Sequence, residues 1–327
     1  MTTSHYGVSG NHPVAVQAAH EMLLSGGSAV SAVLSGFFAA CGAHAGVLLG
    51  PLTVLVAGVG SGARAFDGRL RQPGLGTRRP RGFTSDSEIP AAARLAVPQA
   101  VAAAVVAHAY DRSGPIAEVI KRGIRQASQV GAEARAEVLQ SIRSQGAKAL
   151  SSTGVARPLL HAAGISEGGL LTNADLVAVF DVDVAACQNP SATDWVEAPW
   201  LIDQEDVAVQ STEDEVSKGP LLMVIAAVDN RGVFAAAAYS VTSNGIAIDE
   251  LELEAPASAR PVMRGVTRIL PGCAIPSPMP IAIQMSAGRP VAVVCDPRAT
   301  RLNSALIEAA PIRVTRDPSS RVVTTKQ

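Results

Sequence analysis

Leu221-Leu222-Met223-Val224-Ile225-Ala226-Ala227-Val228, Asp229-Asn230-Arg231-Gly232 and Val233-Phe234-Ala235-Ala236-Ala237-Ala238-Tyr239 follow one another without interruption. Two apolar runs of strand length flank a turn that carries Asp, Asn and Gly where a tight reversal needs them, which predicts an antiparallel hairpin. Downstream, residues 281–285 and 291–294 predict a second strand pair around Ser286-Ala287-Gly288-Arg289. Upstream the pattern is helical. Residues 13–24 place Val14, Ala18 and Met22 on one face and stop at Gly26-Gly27, and a second helix is expected over 28–40. Residues 91–110 and 116–150 also read as helices, the second amphipathic with breaks at Gly123 and Gly131. Residues 52–59 form an apolar, β-branched run, as in a strand covered on both faces. The Gly-, Pro- and Arg-rich stretch 64–90, a polar linker with Asn189-Pro190 and both tryptophans (Trp195, Trp200), and the acidic residues 205–218 read as loops. Helices first and antiparallel hairpins afterwards imply an α+β layered fold with buried sheets between helices.

The 327 residues carry 27 Lys+Arg against 28 Asp+Glu, a net charge of −1, and are 48% hydrophobic, 17% charged and 3% aromatic. That composition excludes general disorder and argues against a nucleic-acid partner, which needs a clustered basic face. It points instead to an internal site. Residues 22–63 contain no Asp, Glu, Lys or Arg, but glycines and Pro51 divide them, and neither a basic cluster nor an aromatic belt flanks them; a buried helix, turn and strand are expected rather than a membrane span. Cys41, Cys187, Cys273 and Cys295 form no CxxC pair, so no metal site and no cofactor are expected. The N-terminus lacks the basic and apolar regions of a signal peptide, and a cytoplasmic protein is expected. Of the six histidines, His44 is the one expected to be deeply buried, in a structural role.

Several motifs carry a resemblance. His12-Pro13 and Leu24-Ser25-Gly26-Gly27-Ser28-Ala29-Val30-Ser31-Ala32 resemble the opening of gamma-glutamyltranspeptidases, where a His-Pro helix ends in Gly-Gly-Asn-Ala-Val-Asp-Ala. Arg69-Leu70-Arg71-Gln72-Pro73 is similar to that family's Arg-Glu-x-Ala-Pro, and Ala96-Val97-Pro98 with Ala107-His108-Ala109-Tyr110 to its Val-Pro-Gly turn and following helix. Gly168-Gly169-Leu170-Leu171-Thr172-Asn173-Ala174-Asp175-Leu176 resembles Gly-Gly-x-x-Thr-x-x-Asp-Leu, and Val228-Asp229-Asn230-Arg231-Gly232 the Val-Asp-x-x-Gly turn. The order of these motifs, from about His12 to Ile307, implies an N-terminal-nucleophile-hydrolase-like four-layer αββα sandwich. It implies one domain over residues 1–327, with 1–218 corresponding to the family's large subunit and 219–327 to its small subunit.

The departures bear on chemistry. In the family a Thr opens the strand before the Val-Asp-x-x-Gly turn, cuts the chain ahead of itself and uses its new amine as base. Counting back from Asp229 puts Leu222 at that position, and Leu has no nucleophilic atom. Thr212 is the nearest Thr, in the acidic loop and out of register. The family's oxyanion segment Gly-Ser-Pro-Gly-Gly-Ser-Arg is replaced by Cys295-Asp296-Pro297-Arg298-Ala299-Thr300-Arg301, where side chains stand in place of the glycines whose N–H groups would meet an oxyanion. Self-cleavage and ordinary gamma-glutamyl transfer are therefore not expected, and the chain is expected to stay uncleaved.

The resemblance still implies an anion-binding set. Arg69 stands where the family grips a substrate α-carboxylate, Ser277 keeps one hydroxyl of that site, Glu254 lies near the acidic partner of the α-amino group, and Arg298 would add a guanidinium. As reacting groups Cys295, at a strand end beside a cation that would depress its pKa, and Asp296 are the candidates. Each has a plainer alternative: Arg69 as one more Arg of an Arg-rich loop, Glu254 as part of the polar face of a strand, Ser277 as a turn residue, Cys295 as core. Two functions stay open. One is a repurposed enzyme acting on a small amino- or carboxyl-bearing molecule; the other is a catalytically inactive relative serving as a ligand-binding or partner subunit, with room for a homo-oligomer or an active relative as partner.

Overall fold

In the computed structural model the hairpin forms as expected: β6 (Leu221–Val228) and β7 (Phe234–Val241) pair antiparallel, with Val228 opposite Phe234 and Leu222 opposite Ser240. The structure describes residues 5–60, 62–78, 82–178, 184–188, 194–202, 221–277, 279–299, 302, 304–317, 319 and 321–326. Thr212, the acidic loop and Thr300-Arg301 lie outside them.

Around the hairpin one sheet runs in the order β1 (Gly7–Gly10), β6, β7, β2 (Leu52–Ala57), β3 (Ala63–Gly68) and β4 (Val184–Ala186). A second sheet runs β13 (Val323–Lys326), β12 (Ile312–Arg316), β11 (Arg289–Cys295), β10 (Ile281–Ser286) and β5 (Trp195–Val196). The strand period of two sorts their side chains into two cores. Met223, Ile225, Ala227, Ala235, Ala237, Tyr239, Leu52, Val54, Val56 and Phe66 face a helical layer. Their neighbours Val224, Ala226, Val228, Phe234, Ala236, Ala238, Leu55, Ala57, Ala63 and Ala65 meet Ile281, Ile283, Val293, Cys295, Ile312 and Val314 of the second sheet. The helical layer holds α1 (Pro13–Leu24), α2 (Ala29–Ala43), α3 (Ala100–Asp111), α4 (Ile116–Gln129) and α5 (Glu133–Gln145). On the far face of the second sheet Ala282 and Val294 pack with Leu302, Ile307 and Ala310. The layers are helix, sheet, sheet, helix.

The charge-free segment is α2, buried almost throughout, and β2; among the described residues no helix is long and apolar enough to cross a membrane. Gly123 does not interrupt its helix. It lies against α2 so closely that a Cβ on Gly42 would fall 2.0 Å from the Gly123 carbonyl oxygen, and one on Gly123 2.4 Å from that of Phe38. Gly131, at φ +73°, does end the helix.

Two expectations change. Residues 63–68 are a strand rather than loop, because Ala63, Ala65 and Phe66 are buried and Asp67 is neutralised within the fold. Residues 91–110 are not one helix: a 3₁₀ turn at Ala91–Arg94 precedes an extended Val97, which pairs with Arg71, and α3 starts only after Pro98. Pro98 disfavours helical backbone at the residue before it and lacks the N–H a helix needs.

Gly42→Ala is expected to destabilise the protein by about 2 kcal/mol, because the backbones of α2 and α4 must part. Gly154→Ala, with open space at its Cβ, is expected to change stability by less than about 0.5 kcal/mol; denaturant midpoints of the two variants check this. A second expectation concerns acid. His108 is buried on α3 with its Nε2 unpartnered among the described residues, and burial lowers its pKa from 6.5. The unfolded chain then binds the proton first, so this contribution is complete above pH 6.5 and is lost as pH falls below it, at up to about 1.4 kcal/mol per pH unit. His108→Asn should flatten that slope in urea titrations between pH 4 and 7.

Candidate functional site

Strand directions bring the chemistry-bearing residues to one end of the sandwich. At the opposite end the β6–β7 turn meets the end of β12, where the Arg316 guanidinium donates to the Asn230 carbonyl at 3.1 Å. The antiparallel pairings then carry the start of β6, the end of β3, the end of β11 and the start of β10 to the near end.

There Asp67, fully buried as the last side chain of β3 before Gly68, accepts from the Arg69 backbone N–H, Nε and Nη2, each at 2.9 Å, and from Arg71 Nη2 at 3.1 Å. The Arg69 side chain is only 13% exposed and its guanidinium lies 5.2 Å from the centre of the Trp200 ring, on the short helical turn Pro199–Ile202. Asp296 does the same after β11, accepting from Arg298 N–H and Nε at 3.0 and 3.1 Å, but Arg298 is 74% exposed. Ile275 N–H donates to the Leu70 carbonyl and Arg71 bridges Ala274, so the segment 274–277 runs antiparallel to 70–71 and carries Ser277 towards the Gly68–Arg69 end. Ser277 is buried, its hydroxyl donating to the Ile275 carbonyl at 3.4 Å.

The sheet face beneath is polar. Thr53 stands opposite Asp67, and Ser240 opposite Leu222, all on the side facing the second sheet. The hydroxyls of Thr53 and Ser240 and the indole N–H of Trp200 are buried and have no hydrogen-bond partner among the described residues. The Asp67 carboxylate takes Arg69 Nε and Nη2 and leaves Nη1 outside the pair. Leu222 is half-buried at the start of β6, where Asn11 clamps the strand by donating to the Leu222 carbonyl and accepting from Val224 N–H.

No protein-family model and no curated protein matches the chain in sequence. Solved structures do match in shape. Cephalosporin acylase from Bacillus halodurans superposes with a TM-score of 0.70 at 12% identity, over 98% of this chain and 94% of that one. LmbA2991 superposes with a TM-score of 0.64 at 15% identity, over 88% of this chain and 77% of that one. Helicobacter pylori gamma-glutamyltranspeptidase overlaps in part, over 54% of this chain and 64% of that one, at 20% identity and a TM-score of 0.45. The fold is that of the cephalosporin acylase and LmbA2991, an N-terminal-nucleophile-hydrolase-like sandwich. Identities this low establish the fold and leave the chemistry to the residues.

On this fold Cys295 is a core residue. It lies at 0% exposure between the sheets, and burial, with Asp296 beside it, pushes its thiol far above the usual range. The depressed pKa expected of a nucleophile is therefore replaced by its opposite, because desolvation and then the Asp296 carboxylate both disfavour the thiolate. Glu254, on β9 (Leu253–Ala255), accepts from the Gly245 backbone N–H and pairs through its own N–H with the Ala45 carbonyl. These bonds tie the β8–β9 turn, where β8 is Ile246–Ile248, to the loop after α2.

His44 is exposed, contrary to expectation; the buried histidines are His12 and His108. His12, at the N-cap of α1, meets His44 Nε2 to Nε2 at 3.0 Å and the Tyr239 hydroxyl through Nδ1 at 3.4 Å. Desolvation first, and His44 second, hold His12 down to about 4.

Asp67→Asn should cost about 3 kcal/mol, since it leaves two little-exposed guanidiniums without their carboxylate. Arg298→Ala should leave the unfolding midpoint near that of the wild type, since that guanidinium is in water. Chemical denaturation of both variants checks the order.

Proposed function

We propose that this chain is an uncleaved protein of N-terminal-nucleophile-hydrolase fold that binds a small carboxylate-bearing molecule at the end of the sandwich around Arg69, without the family's acyl-transfer chemistry. Of the two roles the sequence leaves open, ligand binding is the one the geometry supports best. The observation that carries it is a set of buried polar atoms without partners among the described residues, Trp200 Nε1 and the Thr53 and Ser240 hydroxyls, on the elements that hold the little-exposed Arg69 guanidinium. Buried polar groups in proteins are nearly always hydrogen-bonded, so such a group of them marks a place for a ligand or water. Asp67 and Trp200 hold the Arg69 guanidinium in place before a ligand arrives, which lowers the ordering cost of binding a carboxylate. Ser277 and the exposed Arg298 would frame the entrance.

Three features support the absence of acyl transfer. Leu222 stands where the resemblance requires a Thr, Cys295 is held as a protonated core thiol, and both carboxylate oxygens of Asp296 face Arg298. A repurposed enzyme would need a reacting group other than Cys295.

Intact-mass measurement of the denatured protein is expected to show one full-length species; two fragments dividing near Leu222 or in the preceding acidic loop would restore the ordinary mechanism. A thermal-shift panel of α-amino acids, γ-glutamyl dipeptides and a cephalosporin, the last suggested by the name of the structural neighbour, should contain a binder. Arg69→Lys should weaken that binder roughly 10- to 100-fold, the cost of a lost charge-assisted hydrogen bond, whereas Arg289→Ala at the opposite end should not change it. Equal affinity in wild type and Arg69→Lys would remove Arg69 from the site.

A further inference from the structure

The face of the central sheet turned away from Arg69 carries a second group of polar residues. Tyr239 points into the helical layer and reaches His12, which in turn meets His44 just past the end of α2. We propose that His12 and His44 form a two-histidine site for a borderline transition-metal cation of the Cu²⁺, Ni²⁺ or Zn²⁺ class.

The geometry fits such a cation. Imidazole nitrogens bind these metals at about 2.0–2.1 Å, so two of them at a right angle on one ion stand about 2.9 Å apart. His12 and His44 Nε2 are 3.0 Å apart, with their rings tilted by 56°. The ion would replace the proton the two nitrogens now share. A metal-binding imidazole is oriented by a hydrogen bond at its other nitrogen; His12 Nδ1 has one with the Tyr239 hydroxyl. His44 is exposed, so an ion can enter and keep water at its remaining positions.

Two charged or titratable groups act on the pair among the described residues: the Tyr239 phenol, which meets His12, and Arg135, a cation held by the Gly42 and Glu252 carbonyls and acting on His44. Arg135 opposes a dication. Among the described residues no group of three or more His, Cys, Asp or Glu gathers at the site or elsewhere. Two ligands and a neighbouring cation set the expected affinity in the micromolar range rather than that of a structural zinc site.

Calorimetric titration of the metal-stripped full chain with Ni²⁺, and separately with Cu²⁺, tests the proposal. One equivalent should bind, and Mg²⁺ should give no heat. His44→Ala, at an exposed position that leaves the fold intact, should weaken Ni²⁺ at least 10-fold, while His20→Ala, exposed on α1, should leave it unchanged. For Cu²⁺ the visible absorption band of a nitrogen-ligated ion should appear in wild type and fade in His44→Ala. Absence of stoichiometric binding would overturn the proposal, and so would a His20→Ala loss equal to that of His44→Ala, which would mean adventitious binding at surface imidazoles.

Discussion

A sheet covered on both faces buries the last side chains of its strands, and this constraint shapes much of the polar chemistry of the molecule. Three strands meet it in the same way. β3, β6 and β11 each run into Asp-x-Arg, as Asp67-Gly68-Arg69, Asp229-Asn230-Arg231 and Asp296-Pro297-Arg298. In each the buried carboxylate accepts from the Arg backbone N–H, at 2.9, 2.9 and 3.0 Å, and from its guanidinium. A carboxylate can turn the chain in this way because Asp hydrogen-bonds the backbone two residues on, and the guanidinium from the same triplet compensates the charge so buried.

The three clasps differ in where the cation ends. Arg298 reaches water, at 74% exposure, and Arg231 is 55% exposed while also facing Asp111; Arg69 is 13% exposed under Trp200. Only the third therefore presents a guanidinium in low-dielectric surroundings, where an arriving carboxylate meets little competition from solvent. The same local motif closes a strand at all three places, and at the third the guanidinium stays within the fold. The Asp229 clasp has a further part in the fold: its Oδ2 also accepts the Ala29 N–H at the start of α2, joining the hairpin turn to the buried helix.

Much of this fold was legible because its elements announce themselves locally. α1 runs from Pro13 to Leu24 as read, and the hairpin and the β10–β11 pair have the expected turns. What was not legible depends on contacts far apart in the chain. β3 reads as loop because Arg64, Asp67 and Gly68 are polar or flexible, and only neighbouring strands and Arg69 make them a strand. His44 reads as buried because its sequence neighbours are apolar, yet it follows the last turn of α2 and emerges. Ser240, Thr53 and Trp200 carry no motif. Their meeting at one end follows from register, which a single sequence does not display. The Asp-x-Arg triplets were visible, and their repetition after two predicted strands and again at Asp67 is the signal that could have drawn attention to Asp67.

Parity along the strands decides which residues can take part at that end. Within β11, Val293 and Cys295 face the other sheet and Val294 the outer side, so the last inward position is sealed by packing whatever its side chain. A thiol there becomes core; its reactivity is suppressed by the alternation that makes the sandwich. Residues beyond a strand are free of that alternation: Arg69 directly follows β3, Arg298 lies three residues past β11 and Ser277 four before β10. Ser240 and Thr53 escape differently: they keep inward parity, but stand near the end of the sheet, where polar atoms replace the apolar contacts of Ala236 and Leu55 deeper in. The proposed carboxylate site thus draws on strand ends and the segments beyond them. A change of chemistry within the fold can accordingly proceed by rewriting a few terminal positions while the paired, small-residue interior of β6 and β7 stays as it is.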